Sequence, residues 1–235
     1  MHSALSHTRV AALVTAGFAL TLPAAADTFG GQIHYVIGNG AFEGVELTTP
    51  AALEGPALLT QATPRLRGMG TFQGVSVRGD LLVDSWRLGV GSTWYGVDGV
   101  GLRTDALPWG LSAELSSLWA TSSELFVGYE IKQGPVYPYI DGRLSLSVLQ
   151  AQIDTYAAPH GHVGTNAFTA FSFGVGPRFG ALVPIGHSLT LDAYAYRQII
   201  GGFEQLTVGI GVGFWENDRD DAFSNELRRG WRGQI

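Results

Sequence analysis

Two groups of residues have side chains that could ligate a metal ion. His160 and His162 are separated by a single glycine, and Asp218, Asp220 and Asp221 lie close together near the end of the chain. A zinc site needs more ligands than the two histidines, and no further ligand cluster is apparent. The acidic group lacks the glycine and the terminal glutamate of an EF-hand loop. We therefore interpret both groups as solvated segments and expect neither a metal nor a cofactor.

Other residues have the types found in hydrolytic active sites. His187, Ser188 and Glu204 provide a base, a hydroxyl and an acid, but the strand order derived below puts His187 and Glu204 at opposite ends of a sheet. Members of a catalytic triad must be in hydrogen-bond contact. His34 falls on an interior face, where a packed core histidine is expected. The sequence therefore predicts that the protein is not an enzyme.

Export is indicated by the first 26 residues. They combine a weakly basic start at Arg9, an apolar run over residues 11–22 and small residues before a cleavage site between Ala26 and Asp27, as in a secretory signal peptide. The chain has no cysteine, only 14% charged residues and a net charge of −6, which argues against a nucleic-acid partner. We expect a barrel domain over residues 27–215 and a polar tail over 216–235.

Alternation of apolar and polar residues recurs along the mature chain. It is strictest in residues 125–148, where two arms flank a turn at Gln133 and Gly134. A period of two indicates β-strands, and arms of this length can cross a bilayer when tilted. Eight such segments occur, with short turns at 84–85, 133–134 and 183–187 and long connections over 38–64, 97–120 and 154–166. Short helices are expected near 51–59 and 111–119.

Turn positions predict which strand residues are neighbours. A turn centred on Ile185 places Arg178 opposite Asp192, and a turn between residues 133 and 134 places Glu124 opposite Arg143. Opposite charges at facing positions stabilise a strand pair. We expect an interior plug of ion pairs and tyrosines built from the charged residues of the polar face: Arg78, Asp80, Arg87, Glu124, Glu130, Asp141, Arg143, Arg178 and Asp192.

These features together resemble the small eight-stranded outer-membrane barrels, the group that contains the transmembrane domain of outer membrane protein A and outer membrane proteins X and W. The resemblance covers roughly residues 28–215. It implies an all-β, antiparallel up-and-down transmembrane β-barrel in the outer membrane of a Gram-negative bacterium. It also implies that Phe214 is the aromatic assembly signal, and that the partners are outer-membrane lipid, periplasmic chaperones and the barrel-assembly machinery.

Three functions remain open at this stage. The first is a barrel with a filled interior, acting structurally or through surface contacts of its long outer connections with an unknown ligand. The second is a porin-like conduit for small solutes or apolar molecules. The third is a periplasmic, lipocalin-like binder with its apolar face turned inward.

Overall fold

The protein was analysed as a computed structural model that describes residues 28–48, 63–104, 107, 110–132, 134–186, 188–201 and 204–215. The predicted signal peptide, the cleavage site at Ala26 and Asp27, the helix near 51–59 and the polar tail lie outside the described residues. So do His187 and the three aspartates of the tail. The strands are β1 (Thr28–Glu46), β2 (Pro64–Val83), β3 (Trp86–Asp98), β4 (Gly101–Thr104), β5 (Leu111–Glu130), β6 (Tyr137–Ala157), β7 (Gly161–Ile185), β8 (Leu189–Arg197) and β9 (Glu204–Trp215).

Eight of these strands form a closed antiparallel ring. Each of β5 to β8 pairs with the next strand in sequence, β1 pairs with both β2 and β9, and β3 joins β2 to β5. The short β4 pairs only with the first residues of β2, from Pro64 to Arg67. It continues the direction of β3 after a break at Gly99, whose φ is +81°. Because the ring is closed on the side of the short turns, no strand there has a free edge. Closed barrels avoid unpaired backbone groups in this way.

Side chains alternate between the two surfaces of this wall, and this confirms the predicted all-β, eight-stranded barrel. In β6 every second residue from Tyr137 to Ile153 is buried and those between are exposed or half-buried. Large apolar side chains cover the outside of every ring strand, as at Ile33, Val77, Leu88, Val127, Ile140, Phe173, Leu191 and Ile210. The described part of the chain holds no helix with the length and hydropathy of a membrane span.

The predicted partners of Arg178 and Glu124 are wrong by even numbers of residues. Arg178 lies opposite Tyr196 rather than Asp192, because β7 continues as strand through Ile185 and the turn is centred two residues later. Glu124 lies opposite Ser145, two residues from the predicted partner Arg143. A register shift by an even number of residues keeps every side chain on its own face of the sheet. The predicted faces are therefore correct, although the cross-strand neighbours differ.

Strands occupy most of the predicted outer connections. Residues 38–46, 97–98, 101–104 and 111–120 are strand, and only 158–160 separate β6 from β7, so the expected loop over 154–166 is wrong. The helix expected near 111–119 is also wrong. A β-bulge at Ser116 adds one residue to β5. Leu115 and Leu118, which face the same side of the strand, are therefore three residues apart instead of two. A spacing of three is typical of a helix face, and for this reason the segment resembles a helix.

Candidate functional site in the barrel interior

The turn-side half of the interior is filled by charged side chains. All nine charged residues assigned to this face by alternation are at most 3% exposed: Arg78, Asp80, Arg87, Glu124, Glu130, Asp141, Arg143, Arg178 and Asp192. The four arginines come from β2, β3, β6 and β7, so the network ties together strands on different sides of the ring. An eight-stranded barrel is just narrow enough for its side chains to fill it.

Arg178 and Asp141 form the most direct of these ion pairs. The two residues face each other across β6 and β7, and Arg178 Nε donates a hydrogen bond of 2.7 Å to Asp141 Oδ2, which Nη2 also contacts. Both side chains are fully buried. Both guanidinium nitrogens therefore donate to one carboxylate oxygen, and these charge-assisted hydrogen bonds offset part of the desolvation of the two buried charges.

A second set of pairs is centred on Glu124. Its Oε1 accepts hydrogen bonds from Arg143 Nη2 and, at 2.6 Å, from Thr93 Oγ1, while Oε2 lies 3.9 Å from Arg78 Nε. The predicted Glu124–Arg143 contact therefore forms, although the two residues are diagonal rather than directly opposite. Long side chains can bridge this diagonal.

Arg87 has two acidic neighbours in the same half of the barrel. Its Nη2 contacts Asp80 Oδ2, and its Nε lies 3.8 Å from Glu130 Oε2. Asp80 Oδ2 also accepts a hydrogen bond of 3.1 Å from Gln32 Nε2. Every interior arginine thus has at least one carboxylate within 4 Å.

Aromatic rings cover the faces of all four guanidinium groups. The distances from guanidinium carbon to ring centroid are 4.0 Å for Arg78 over Tyr194, 3.9 Å for Arg87 over Tyr139, 4.0 Å for Arg143 over Tyr196 and 4.3 Å for Arg178 over Phe126. Cation–π contacts are strongest when water is excluded, as it is here. The predicted plug of ions and tyrosines describes this arrangement, although Phe126 was not included in it.

Asp192 belongs to a cluster that sequence reasoning missed. His34 Nε2 lies 2.8 Å from Asp192 Oδ2, and the Tyr139 hydroxyl donates a hydrogen bond of 2.9 Å to Oδ1. The sequence identified His34 as an interior residue, but only the ring closure that pairs β1 with β9 shows which acid it meets. With His34 and Asp192 both fully buried, substrate access to this cluster is blocked.

Above the charged network the interior becomes apolar. A continuous cluster of buried side chains lies in the loop-side half of the barrel: Phe42, Leu47, Leu66, Phe72, Tyr95, Val97, Leu118, Ala120, Leu149, Ala151, Ile153, Phe168 and Ala170. Most of these residues fall in or beside segments that the sequence pattern predicts as loops. The alternation of residues 145–154, which continues through Leu149, Ala151 and Ile153, is the signal that could have revealed this cluster.

The barrel wall is open beside this apolar cluster. Pairing of β3 with β5 ends at Gly96 and Trp119. On the loop side of this last pair, β4 pairs with β2 and not with β5. The resulting opening is a cavity of about 340 Å³, lined by Gly96, Val97, Asp98, Gly99, Val100, Leu115, Ser116, Ser117, Leu118 and Trp119. Val97 and Leu118 also belong to the apolar cluster, so the opening reaches the interior.

The remaining candidates stay apart from one another. His162 Nε2 lies 3.5 Å from Asp154 Oδ1, and within the described residues no group of three or more potential metal ligands occurs. A hydrogen bond from Thr165 is the main reason that the pKa of Asp154 is lower than usual, and His162 adds to the effect. Glu204 starts β9 opposite Ala41, whereas the Ser188 carbonyl accepts a hydrogen bond from Trp215 at the other end of the strand.

Similar folds are found among solved structures of outer-membrane barrels. The outer membrane protein OprG from Pseudomonas aeruginosa superposes with a TM-score of 0.54 at 9% identity, covering 82% of this chain and 97% of OprG. Neisserial surface protein A shares 17% identity with a TM-score of 0.47, covering 79% of this chain and 96% of that protein. No protein-family model and no curated protein sequence matches the chain. The chain therefore has the fold of the small eight-stranded outer-membrane β-barrels.

Proposed function

We propose that the protein is a structural and surface-contacting barrel of the outer membrane whose interior is closed to polar solutes. The observation that carries this proposal is the interior network of four arginines, each paired with a carboxylate and covered by an aromatic ring. A solute that crossed the barrel would have to separate these pairs. Breaking one buried pair costs about 3–5 kcal/mol.

The outer surface supports a location in lipid. Exposed apolar side chains include Ile33 at 56%, Phe173 at 51% and Ile210 at 65%, on β1, β7 and β9. A monomeric soluble protein rarely exposes so large a continuous apolar surface, whereas a barrel wall in a bilayer requires one. The lipocalin-like alternative is wrong, because it places these residues inside the barrel.

Strands rather than long loops form the part that would face the exterior. β6 and β7 pair up to Ala157 and Gly161, far beyond the outward-facing Phe171. This extended wall carries polar outward residues such as Asp154, His162 and Thr165, and we assign the surface-contacting role to it. Phe214 lies exposed near the end of β9, and we propose that it is the assembly signal that the barrel-assembly machinery reads.

Reconstitution of the full chain in planar lipid bilayers tests the closed interior. We expect no steady single-channel conductance, whereas a general porin incorporated in the same way serves as the open reference. Fractionation with outer membranes and heat-modifiable migration on denaturing gels test the location. Steady conductance would refute the closed interior, and recovery in the periplasmic fraction would refute the location.

A second candidate function is a lateral route for small apolar molecules. The opening between β3 and β5 favours it, because this opening connects the outside of the wall with the apolar cluster. Cells that express the chain should take up an apolar fluorescent probe faster than cells that lack it, and Gly96→Leu should remove the difference. Equal uptake with and without the chain would exclude this route.

A further inference from the structure

Among the described residues that line the opening between β3 and β5, Asp98 is the only charged one. It is exposed and lies two residues beyond Gly96 on β3, so that both point outward. Asp98 takes part in none of the ion pairs of the described residues. Its carboxylate therefore gives the opening a negative charge, and no basic residue among the described residues pairs with it.

Trp119 provides an aromatic surface at the same opening. The residue pairs with Gly96 across β3 and β5, and its side chain is 61% exposed. A β-carbon added at Gly96 would meet no atom within 4 Å, and the backbone there is ordinary strand. Glycine at this position is thus not required by the backbone, and it leaves open space beside the indole.

The inner side of the opening is apolar. Val97 and Leu118 are at most 6% exposed, and Val100 and Leu115 pack against the same cluster. The opening therefore combines an apolar floor with a carboxylate and an indole at its outer face. A volume of about 340 Å³ is within the range of small-molecule sites.

We propose that this opening binds small amphipathic cations, such as aromatic or alkyl ammonium ions. The apolar body lies against Val97, Val100 and Leu118, and the cationic group lies between the Asp98 carboxylate and the Trp119 indole. An indole is the ring that attracts cations most strongly, and a carboxylate excludes anions of the same shape. This inference rests on the opening used by the second candidate function, but it requires binding only and no passage.

Calorimetric titration of the full chain in non-ionic detergent micelles tests the proposal, with benzyltrimethylammonium as the probe and empty micelles as the blank. We expect saturable binding at one site. Asp98→Asn keeps the shape of the side chain and should weaken binding about three- to fivefold, because an ion pair with an exposed carboxylate contributes up to about 1 kcal/mol. Gly96→Leu fills the opening and should abolish binding.

Gly31→Leu is the matched control for Gly96→Leu. Gly31 is also an outward strand glycine with space beside it, the nearest atom to an added β-carbon being 3.9 Å away, but it lies on β1. This variant should bind the probe as the unmodified chain does. Heat-modifiable migration verifies that each variant is folded before titration.

Three results would overturn the proposal: unchanged binding in Asp98→Asn, unchanged binding in Gly96→Leu, or equally tight binding of benzylsulfonate. The uptake experiment separates this inference from the second candidate function. Saturable cation binding without faster uptake of the apolar probe would refute the lateral route and support the cation site. Faster uptake with no cation binding would refute the cation site alone.

Discussion

Arg178 can be used to distinguish the observed strand register from the register expected from the turn sequence. The structure pairs it with Asp141, through a 2.7 Å hydrogen bond from Nε to Oδ2, whereas the expected turn placed it opposite Asp192. Arg178→Met and Asp141→Asn each remove one charge with little change of shape. The two single variants and the double variant form a thermodynamic cycle.

The magnitude follows from burial. Both partners are fully buried, so each single variant leaves a charge without its partner, which costs about 3–5 kcal/mol. The double variant leaves neither charge behind and should lose less than the sum of the single variants, with a coupling free energy of about 2 kcal/mol or more. A cycle of Arg178→Met with Asp192→Asn should give less than about 1 kcal/mol, because these two residues form no ion pair and are linked indirectly, through rings such as that of Tyr139.

Urea unfolding in lipid vesicles, followed by tryptophan fluorescence and verified by heat-modifiable migration, provides the free energies of unfolding. Reversible transitions with equal slopes are needed for the comparison. Additive effects in the Arg178–Asp141 cycle together with strong coupling in the Arg178–Asp192 cycle would refute the observed register. Additive effects in both cycles would refute the interior network as a source of stability.

Two further predictions concern packing and pH. Gly209→Ala should destabilise the barrel by about 1–3 kcal/mol, because the new β-carbon would lie 2.1 Å from the Tyr194 ring. Gly31→Ala, measured in the same unfolding assay, is the control. Equal stability of the two variants would contradict this packing. Thr165→Val should raise the pKa of Asp154 toward its ordinary value, since the hydrogen bond from Thr165 is the main cause of the lowered pKa. The stability that this lowered pKa contributes is present above the unfolded-state pKa and is lost as the pH falls through the folded-state pKa. Carboxyl carbon chemical shifts of Asp154 followed against pH check this, and an unchanged titration in Thr165→Val would exclude the hydrogen bond as the cause.

Much of the architecture could be predicted because alternation is a local property. Each strand face can be read from a few consecutive residues, so that His34, Glu124 and Arg178 were correctly assigned to the interior with no knowledge of their partners. Local pattern also located the turn at 84–85 and placed the centre of the turn after β7 two residues too early. The outer extensions were missed because glycines, prolines and the bulge at Ser116 interrupt the period of two there.

The sequence by itself determined the fold class, the two faces of the wall and the charged composition of the interior, because a period of two sorts side chains within each strand. The tertiary structure alone decided which residues meet. A register shift of four residues, from a turn centred two residues later, leaves the faces unchanged and exchanges Asp192 for Tyr196 opposite Arg178. Ring closure brought His34 of β1 to Asp192 of β8, and the break at Gly99 left the opening beside Trp119. These contacts depend on turn centres, bulges and closure, whose energies involve residues far apart in the chain.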